Sequence, residues 1–447
     1  MSQQEAFPVK FIHVADLHLG KKLYGISQRY DDYFRAFDWI LDKAIEEQVD
    51  FILISGDFID SERKIIPQII SDIYTSIHEF RQKSIQSLDR LIPIICIEGN
   101  HENPFFSDQT WLKLLADFDL IHLLSGRHDN EMSSLRFEEC TSNDRKGGKM
   151  QVKGVNIYGM RFHGSSTEEL FPLLNKAIQK EKGRFNILMM HFGIEGQDPR
   201  KSAQVAVSEP LLDLHESVDY LALGHYHKQY SLPEDKPWIF NPGSLEINEI
   251  TETELNRGAF LVEIYSEKEF RSTSLLCANG PSEDSFTIPN RKFLFLDQMN
   301  ISKNDSFKET KEFIIDKIKR YGVPEESVRS LLDTNLNKPV LYFFVKGNVK
   351  YSQLDFDVTR LKAEIQDTFD ILGVRMINQV LSSSEEDELE LGEITTPDQV
   401  ERDLFVSTIE NDPRFKQQGE KIADFILDLK SQVLHEPNYE IIKSNFS

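Results

Sequence analysis

The sequence predicts an α/β protein built on largely buried sheets, on three observations. Short apolar runs alternate with amphipathic helical patterns over roughly residues 9–265. The runs are almost wholly apolar, as strands covered on both faces must be. Five of them end in carboxylate, imidazole or amide side chains, where open α/β sheets place their chemistry.

The elements follow in order. "VKFIHVAD" (Val9–Asp16) reads as a buried strand. Tyr30–Gln48 carries Phe34, Phe37, Ile40, Leu41 and Ala44 at helical spacing. "DFILISGD" (Asp50–Asp57) is a second strand, Ile66–Phe80 a helix, and "LIPIICIEGN" (Leu91–Asn100) a third strand. "TSNDRKGGKMQ" (Thr141–Gln151) is polar and Gly-rich, and predicts a hairpin or surface loop. Later strands are Val155–Met160, Phe185–His191, Val218–His225 and Trp238–Ser244. A second region begins near Arg291, with strand, helix, strand and helix in a βαβα-like order. Its first helix, "FKETKEFIIDKIKRYG", stops at Gly322, and its second spans Phe356–Phe369. "SSSEEDELELGE" (Ser382–Glu393) has the composition of an acidic linker without fixed structure. The last residues are amphipathic and helical in pattern. The expected divisions are 1–280, 290–382, a linker over 383–398 and a helical segment over 399–447.

Composition bounds the function. A chain of 447 residues with 40% hydrophobic content is large enough for two or three buried cores. No apolar run approaches the roughly 20 residues of a membrane span, and no signal peptide is expected. Three scattered cysteines argue against a disulfide framework and for a reducing cytoplasm. A net charge of −23 excludes a wholly basic nucleic-acid clamp. It does not exclude nucleic acid as substrate, because metal ions or a partner can supply the positive field.

The strand ends carry the chemistry. The first run ends in Asp16 and His18, the second in Asp57, and the third in Asn100, His101 and Glu102. "FNILMM" ends in His191, and "VDYLALG" in His225 and His227. Singly, each is ordinary: an Asp-x-His is usually a turn, and "SGD" an ordinary strand exit. "GNH" and "GHYH" say more, because glycine lets the chain turn and aim the next side chain out of the sheet. Together the residues form a nitrogen and oxygen donor set without thiolate, which favours manganese, iron or zinc. There are too many donors for one tetrahedral zinc. Two divalent ions sharing a carboxylate, about 3.5–4 Å apart, suit the set better.

In this order, "DLH", "GD", "GNHE", a strand-end His and "GHYH" resemble the calcineurin-like metallophosphoesterase superfamily. "FIHVADLHLGKKLYG", "RYDDYFRAF", "GHYHKQY" and "NPGSLE" resemble its SbcD / Mre-eleven nucleases. The resemblance covers roughly residues 9–265 well and the remainder more loosely. It implies a four-layer α/β/β/α sandwich, a small α/β capping domain and a C-terminal helical segment. It implies DNA phosphodiester hydrolysis in double-strand-break repair, with two divalent metals, most often manganese. Partners would be DNA, an SbcC / Rad-fifty-type ABC ATPase held by the C-terminal helices, and a second copy of the chain. Dimerisation would use Ile66–Phe80 and Trp111–Phe118.

Carried across by position, the first metal would be held by Asp16, His18 and His227. Asn100, His191 and His225 would hold the second, and Asp57 would bridge. A water acidified by both cations would attack phosphorus. His101 would protonate the leaving oxygen, and Glu102 would steady His101 by accepting its other N–H. Two positions depart from the nuclease pattern: Glu102 stands where Asp is frequent, and Asp60 where archaeal members often carry a further histidine. Arg29, Arg63, Lys64 and Arg161 are candidate phosphate contacts. His13 and His163 fall outside the motif order and are expected in packing roles. The competing reading is a stand-alone phosphatase or cyclic-nucleotide phosphodiesterase. A small-substrate enzyme would need neither the second region nor the tail. A non-catalytic assembly factor would have no use for the full donor set.

Overall fold

A computed structural model describes residues 6–60, 66–102, 110–129, 134–141, 144–198, 205–302, 304–325, 336, 338–351 and 356–382. It also describes 406, 419–425 and 427. The chain divides into two compact units. One comprises Met1–Gly347 and Leu354–Val380, and the other Asn348–Gln353 and Leu381–Ser447.

Two sheets dominate the first unit. The first is eight-stranded, in the order Thr287–Ile288, Glu269–Cys277, Gly258–Ser266, Val9–Val14, Phe51–Ile54, Ile94–Cys96, His122–Leu124, Lys146–Gly147. Val9–Val14 pairs parallel with Phe51–Ile54 and antiparallel with Gly258–Ser266. The second is six-stranded, in the order Tyr230–Leu232, Ile239–Asn241, Tyr220–Ala222, Phe185–Met189, Val155–Gly159, Lys149–Val152. Its inner four strands run parallel. The Thr287–Ile288 strand carries the first sheet past the expected boundary at residue 280.

Side-chain alternation sorts the strands into layers. Phe11, Phe51, Leu53 and Ile95 point between the sheets and meet Ile157, Ile187, Tyr220 and Phe240. Their neighbours Ile12, Val14, Ile52 and Ile54 face the other way. There they pack on Phe37 and Ile40 of the helix Arg29–Glu46 and on Ile73 and Ile77 of the helix Pro67–Leu88. Leu188 and Leu221 of the second sheet pack on Phe171 and Leu174 of the helix Thr167–Ala177. The result is helix, sheet, sheet, helix. Both faces of each sheet are covered, which explains the unbroken apolar runs.

The Thr141–Gln151 stretch is not a simple hairpin. Lys146–Gly147 adds to the edge of the first sheet and Lys149–Val152 to the edge of the second, with Gly148 between. Its polarity is that of half-exposed edge strands, which read as a loop from composition.

A third, four-stranded sheet contains Phe293–Phe295, Met299–Asn300, Val340–Val349 and Gly373–Ser382. Helices Phe307–Arg320 and Val358–Thr368 accompany it, N-capped by Ser306 and Asp357 side chains. Phe293, Val340 and Tyr342 of this sheet share a core with Leu23, Ile247 and Ile250 of the larger body. In the second unit, residues 419–425 are helical, and the acidic stretch 383–398 lies outside the described residues. Among the described residues no helix is long and apolar enough to cross a membrane.

The sheet-to-sheet core holds the two halves of the sandwich together. Phe11 is fully buried there, stacked on Phe51 at 5.0 Å and edge-on to Tyr220 at 5.3 Å. Phe11→Ala is expected to lower unfolding stability by about 3–5 kcal/mol, read by urea denaturation.

Candidate metal centre

The sheet topology brings the five strand ends together. Residues after Val9–Val14, Phe51–Ile54 and Ile94–Cys96 come from the first sheet, and those after Phe185–Met189 and Tyr220–Ala222 from the second. Asp16, His18, Asp57 and His191 are buried, while Asn100, His101, His225 and His227 are half-buried. They line a cleft of about 190 Å³ together with Lys21, Asn248, Glu249 and Glu252, apart from Asp16 and His191, which lie behind it.

The turns that aim these groups are strained. Asp16, His18, Asp57 and His225 all have left-handed backbones, with φ of 53°, 45°, 52° and 89°. Such angles cost about 1–3 kcal/mol each for non-glycine residues and cluster at functional sites. Gly56 adopts φ +91°, and a Cβ there would strike the His191 ring. A Cβ on Gly99 would strike the Asp57 backbone and carboxylate. The motif loops are therefore stacked backbone against side chain, and only glycine fits between them.

Hydrogen bonds fix which ring nitrogens face inward. His191 donates Nδ1–H to the Ser55 carbonyl at 2.7 Å, so Nε2 faces the Asn100 Oδ1 at 3.1 Å and Asp57 Oδ2 at 3.3 Å. His227 donates Nδ1–H to Glu252 at 2.7 Å, and its Nε2 faces His18 Nε2 at 3.2 Å. His225 turns Nδ1 to the same Asn100 oxygen at 3.0 Å, and its backbone N–H donates to Asp16. The His101 backbone N–H donates to Asp57 Oδ1 at 3.0 Å.

Electrostatics follow from the crowding. Burial alone would lower the His191 imidazole, but the Asp57 charge overrides it and lifts it to about 9. Burial likewise opposes ionisation of Asp57, yet His191 holds it well below the usual carboxylate range. Burial pushes Asp16 up to about 6 and holds His18 far below the ordinary histidine value.

These residues fit divalent cations. Ring nitrogens of His18, His191 and His227 lie within 4.0 Å of the Asp16 or Asp57 carboxylate, and Asn100 Oδ1 faces the rings of His191 and His225, a nitrogen and oxygen donor set suited to divalent ions. Donor atoms of Asp16, His18 and His227 lie within 4.8 Å of one another, as do those of Asp16, Asp57 and His191. The trio of His18, Asp57 and His101 meets the same limit.

Residues 9–229 match the family model for calcineurin-like phosphoesterases. The chain carries a calcineurin-like phosphoesterase domain. It is 26% identical over 365 residues to the DNA double-strand break repair protein Mre11 of Sulfolobus acidocaldarius, covering 79% of each chain. The Mre11 of Saccharolobus solfataricus is 24% identical over 348 residues, covering 76% of this chain and 75% of its own. The uncharacterized metallophosphoesterase YhaO of Bacillus subtilis is 26% identical over 266 residues, covering 57% of each. With this phosphoesterase domain and its buried donor set, the protein is a metal-dependent phosphoester hydrolase.

Several details of the phosphoesterase site differ from the sequence expectation. Glu102 does not reach His101. Its oxygens accept the backbone N–H groups of Asp57 at 3.0 Å, Ile59 at 2.8 Å and Gly99 at 2.8 Å. It staples two motif loops together, and burial with the nearby Asp57 charge pushes it up to about 8. The carboxylate beside His101 Nδ1 is Asp60, at 3.5 Å. Arg29 is not a surface contact: it is fully buried against Asp32 and Glu246. Arg63 and Lys64 lie outside the described residues, and Arg161 is exposed. His13 is a core residue bonded to Tyr220, Ser55 and the Leu223 carbonyl. Sequence reading missed Glu252, which no motif marks, and Lys21, which directly follows "DLHLG".

Gly99→Ala is expected to push the Asp57 carboxylate off its position while leaving the distant cores intact. Manganese binding followed by calorimetry should weaken at least tenfold, with far-ultraviolet circular dichroism unchanged.

Proposed function

We propose that this chain is a two-metal DNA phosphodiesterase, a nuclease of double-strand-break repair with manganese as its working ion. The observation that carries the reading is the convergence of six donor side chains from two sheets around Asp57, with His101 beside them. The repair proteins among its relatives support DNA as the substrate. The first cation would be held by Asp16, His18 and His227, the second by Asn100, His191 and His225, with Asp57 available to both. Bound cations supply Lewis acidity at phosphoryl oxygens and a water acidified toward neutral pH. His101, half-buried at the cleft, donates a proton to the leaving oxygen. The Asp60 carboxylate lies 3.5 Å from Nδ1 of that imidazole. Lys21 lines the cleft and meets the phosphate backbone.

The partners belong to the same proposal. An ABC ATPase of the SbcC / Rad-fifty type is gripped by the segment 399–447, and it supplies the basic surface that a chain of charge −23 lacks. Two copies associate through the helices Pro67–Leu88 and Trp111–Asp117, where Tyr74, Ile85 and Trp111 are exposed. The complex works in the cytoplasm.

Three experiments test this. His101→Ala should retain manganese while hydrolysis of duplex DNA falls about 100- to 10,000-fold. Unchanged hydrolysis would remove His101 from the proton path. Wild-type turnover of p-nitrophenyl phosphates with none of DNA would point to a small-substrate phosphatase. Deletion of 399–447 should abolish co-purification of a coiled-coil ATPase while manganese-dependent hydrolysis of short DNA persists; an ATPase retained by the truncated chain would overturn that assignment.

A further inference from the structure

The carboxylate behind His227 belongs to a continuous path of buried polar contacts that ends in the small four-stranded sheet. Glu252 accepts from His227 Nδ1 at 2.7 Å and from the Asn248 backbone at 2.8 Å. The Asn248 amide donates to the Glu246 carbonyl at 3.2 Å. The Glu246 carboxylate accepts from Arg29 at 2.6 Å and from Asn290 at 3.0 Å. Arg29 also donates to Asp32 at 2.7 Å. Arg291 grips Asp32 through two bonds, of 2.7 and 2.9 Å. Its remaining arm donates to the Lys338 carbonyl at 2.8 Å, where the chain enters the strand Val340–Val349. Arg29, Asp32, Glu246, Asn290 and Arg291 are each no more than 1% exposed.

Charges taken out of water hold one position only while each stays paired. The arginine fork adds geometry, since two parallel bonds to one carboxylate allow little rotation. The position of Arg291 therefore constrains Asp32 and Arg29. Through Glu246 and Asn248 it also constrains the loop bearing Glu252. Glu252 in turn decides which nitrogen of His227 carries the proton and which turns its lone pair toward His18 and Asp16.

We infer that Arg291 is a positioning residue for the metal centre, acting through Asp32, Arg29, Glu246, Asn248 and Glu252 on His227. Seating of the small sheet on the phosphoesterase body is thereby coupled to the competence of the Asp16, His18 and His227 position. The coupling rests on the two-metal reading proposed above.

The test uses the full chain, with Glu252→Ala, Glu252→Gln, Arg291→Met and Arg291→Lys. Histidine ¹⁵N spectra of metal-free protein report the His227 tautomer, and calorimetry with manganese chloride reports affinity. Wild type should show the Nδ1–H tautomer. Glu252→Ala should move it toward Nε2–H and weaken one of two manganese sites about 10- to 100-fold. Glu252→Gln, which keeps an acceptor, should restore the tautomer. Arg291→Lys, which keeps the charge but loses the fork, should shift the tautomer in the same direction. Its affinity should fall about 2- to 30-fold at that site alone. Should Arg291→Met fail to fold, Arg291→Lys still decides the matter. An unaltered His227 spectrum and isotherm in folded Arg291 variants would overturn the coupling and leave the two-metal reading standing. A shifted tautomer in a chain that binds no manganese would sustain the positioning role and sink the two-metal reading instead.

Discussion

The Asp57 carboxylate sits where loops from both sheets meet, and its demands organise what surrounds it. One oxygen takes the His101 backbone N–H, and the other lies 3.3 Å from the His191 ring. Buried ionised groups are tolerable only when fully paired. The groups around Asp57 need partners in turn: Ser55 for the buried His191, Glu252 for the half-buried His227, three backbone amides for the buried Glu102. The strained turns at Asp16, His18, Asp57 and His225 are the backbone side of the same requirement. Their strain is held by the apolar cores beneath and by loops so tightly stacked that glycine is required between them.

Much of this was legible in the sequence because it is written locally. A strand announces itself by apolar, β-branched residues, and the next polar residue must then leave the sheet at its end. That logic located Asp16, His18, Asp57, Asn100, His191, His225 and His227 without any knowledge of how the strands pair. The helix-sheet-sheet-helix layering could be anticipated from resemblance, while the inward and outward alternation of Phe11, Ile12, Phe51 and Ile52 became visible only with the two sheets in place.

What escaped the sequence are contacts between residues far apart or deceptively close. Glu252 lies 25 positions from the histidine it orients, on a short 3₁₀ turn with no motif. Glu102 follows His101 directly, which suggested that one side chain serves the other. Their turn sends the carboxylate back to amides at Asp57 and Ile59 instead. Asp60 took the place beside His101, and only its departure from a family pattern had marked it. Arg29 looked like a surface cation because arginines usually are; pairing with Asp32 and Glu246 is what makes its burial tolerable.

The passage of the chain through Gly148 has a mechanical meaning. Asp16, Asp57 and Asn100 ride on one sheet, and His191, His225 and His227 on the other, so any slip between the sheets would shear the site in two. Aromatic rings packed sheet against sheet, Phe11 on Tyr220 and Phe240 on Phe260, resist that slip across the middle of the interface. At the far edge, a single residue joins the last strand of one sheet to the first of the other, leaving no slack for sliding. The sandwich thus behaves less like two plates in contact than like a folded leaf creased along one side. The crease keeps both halves of the site in register.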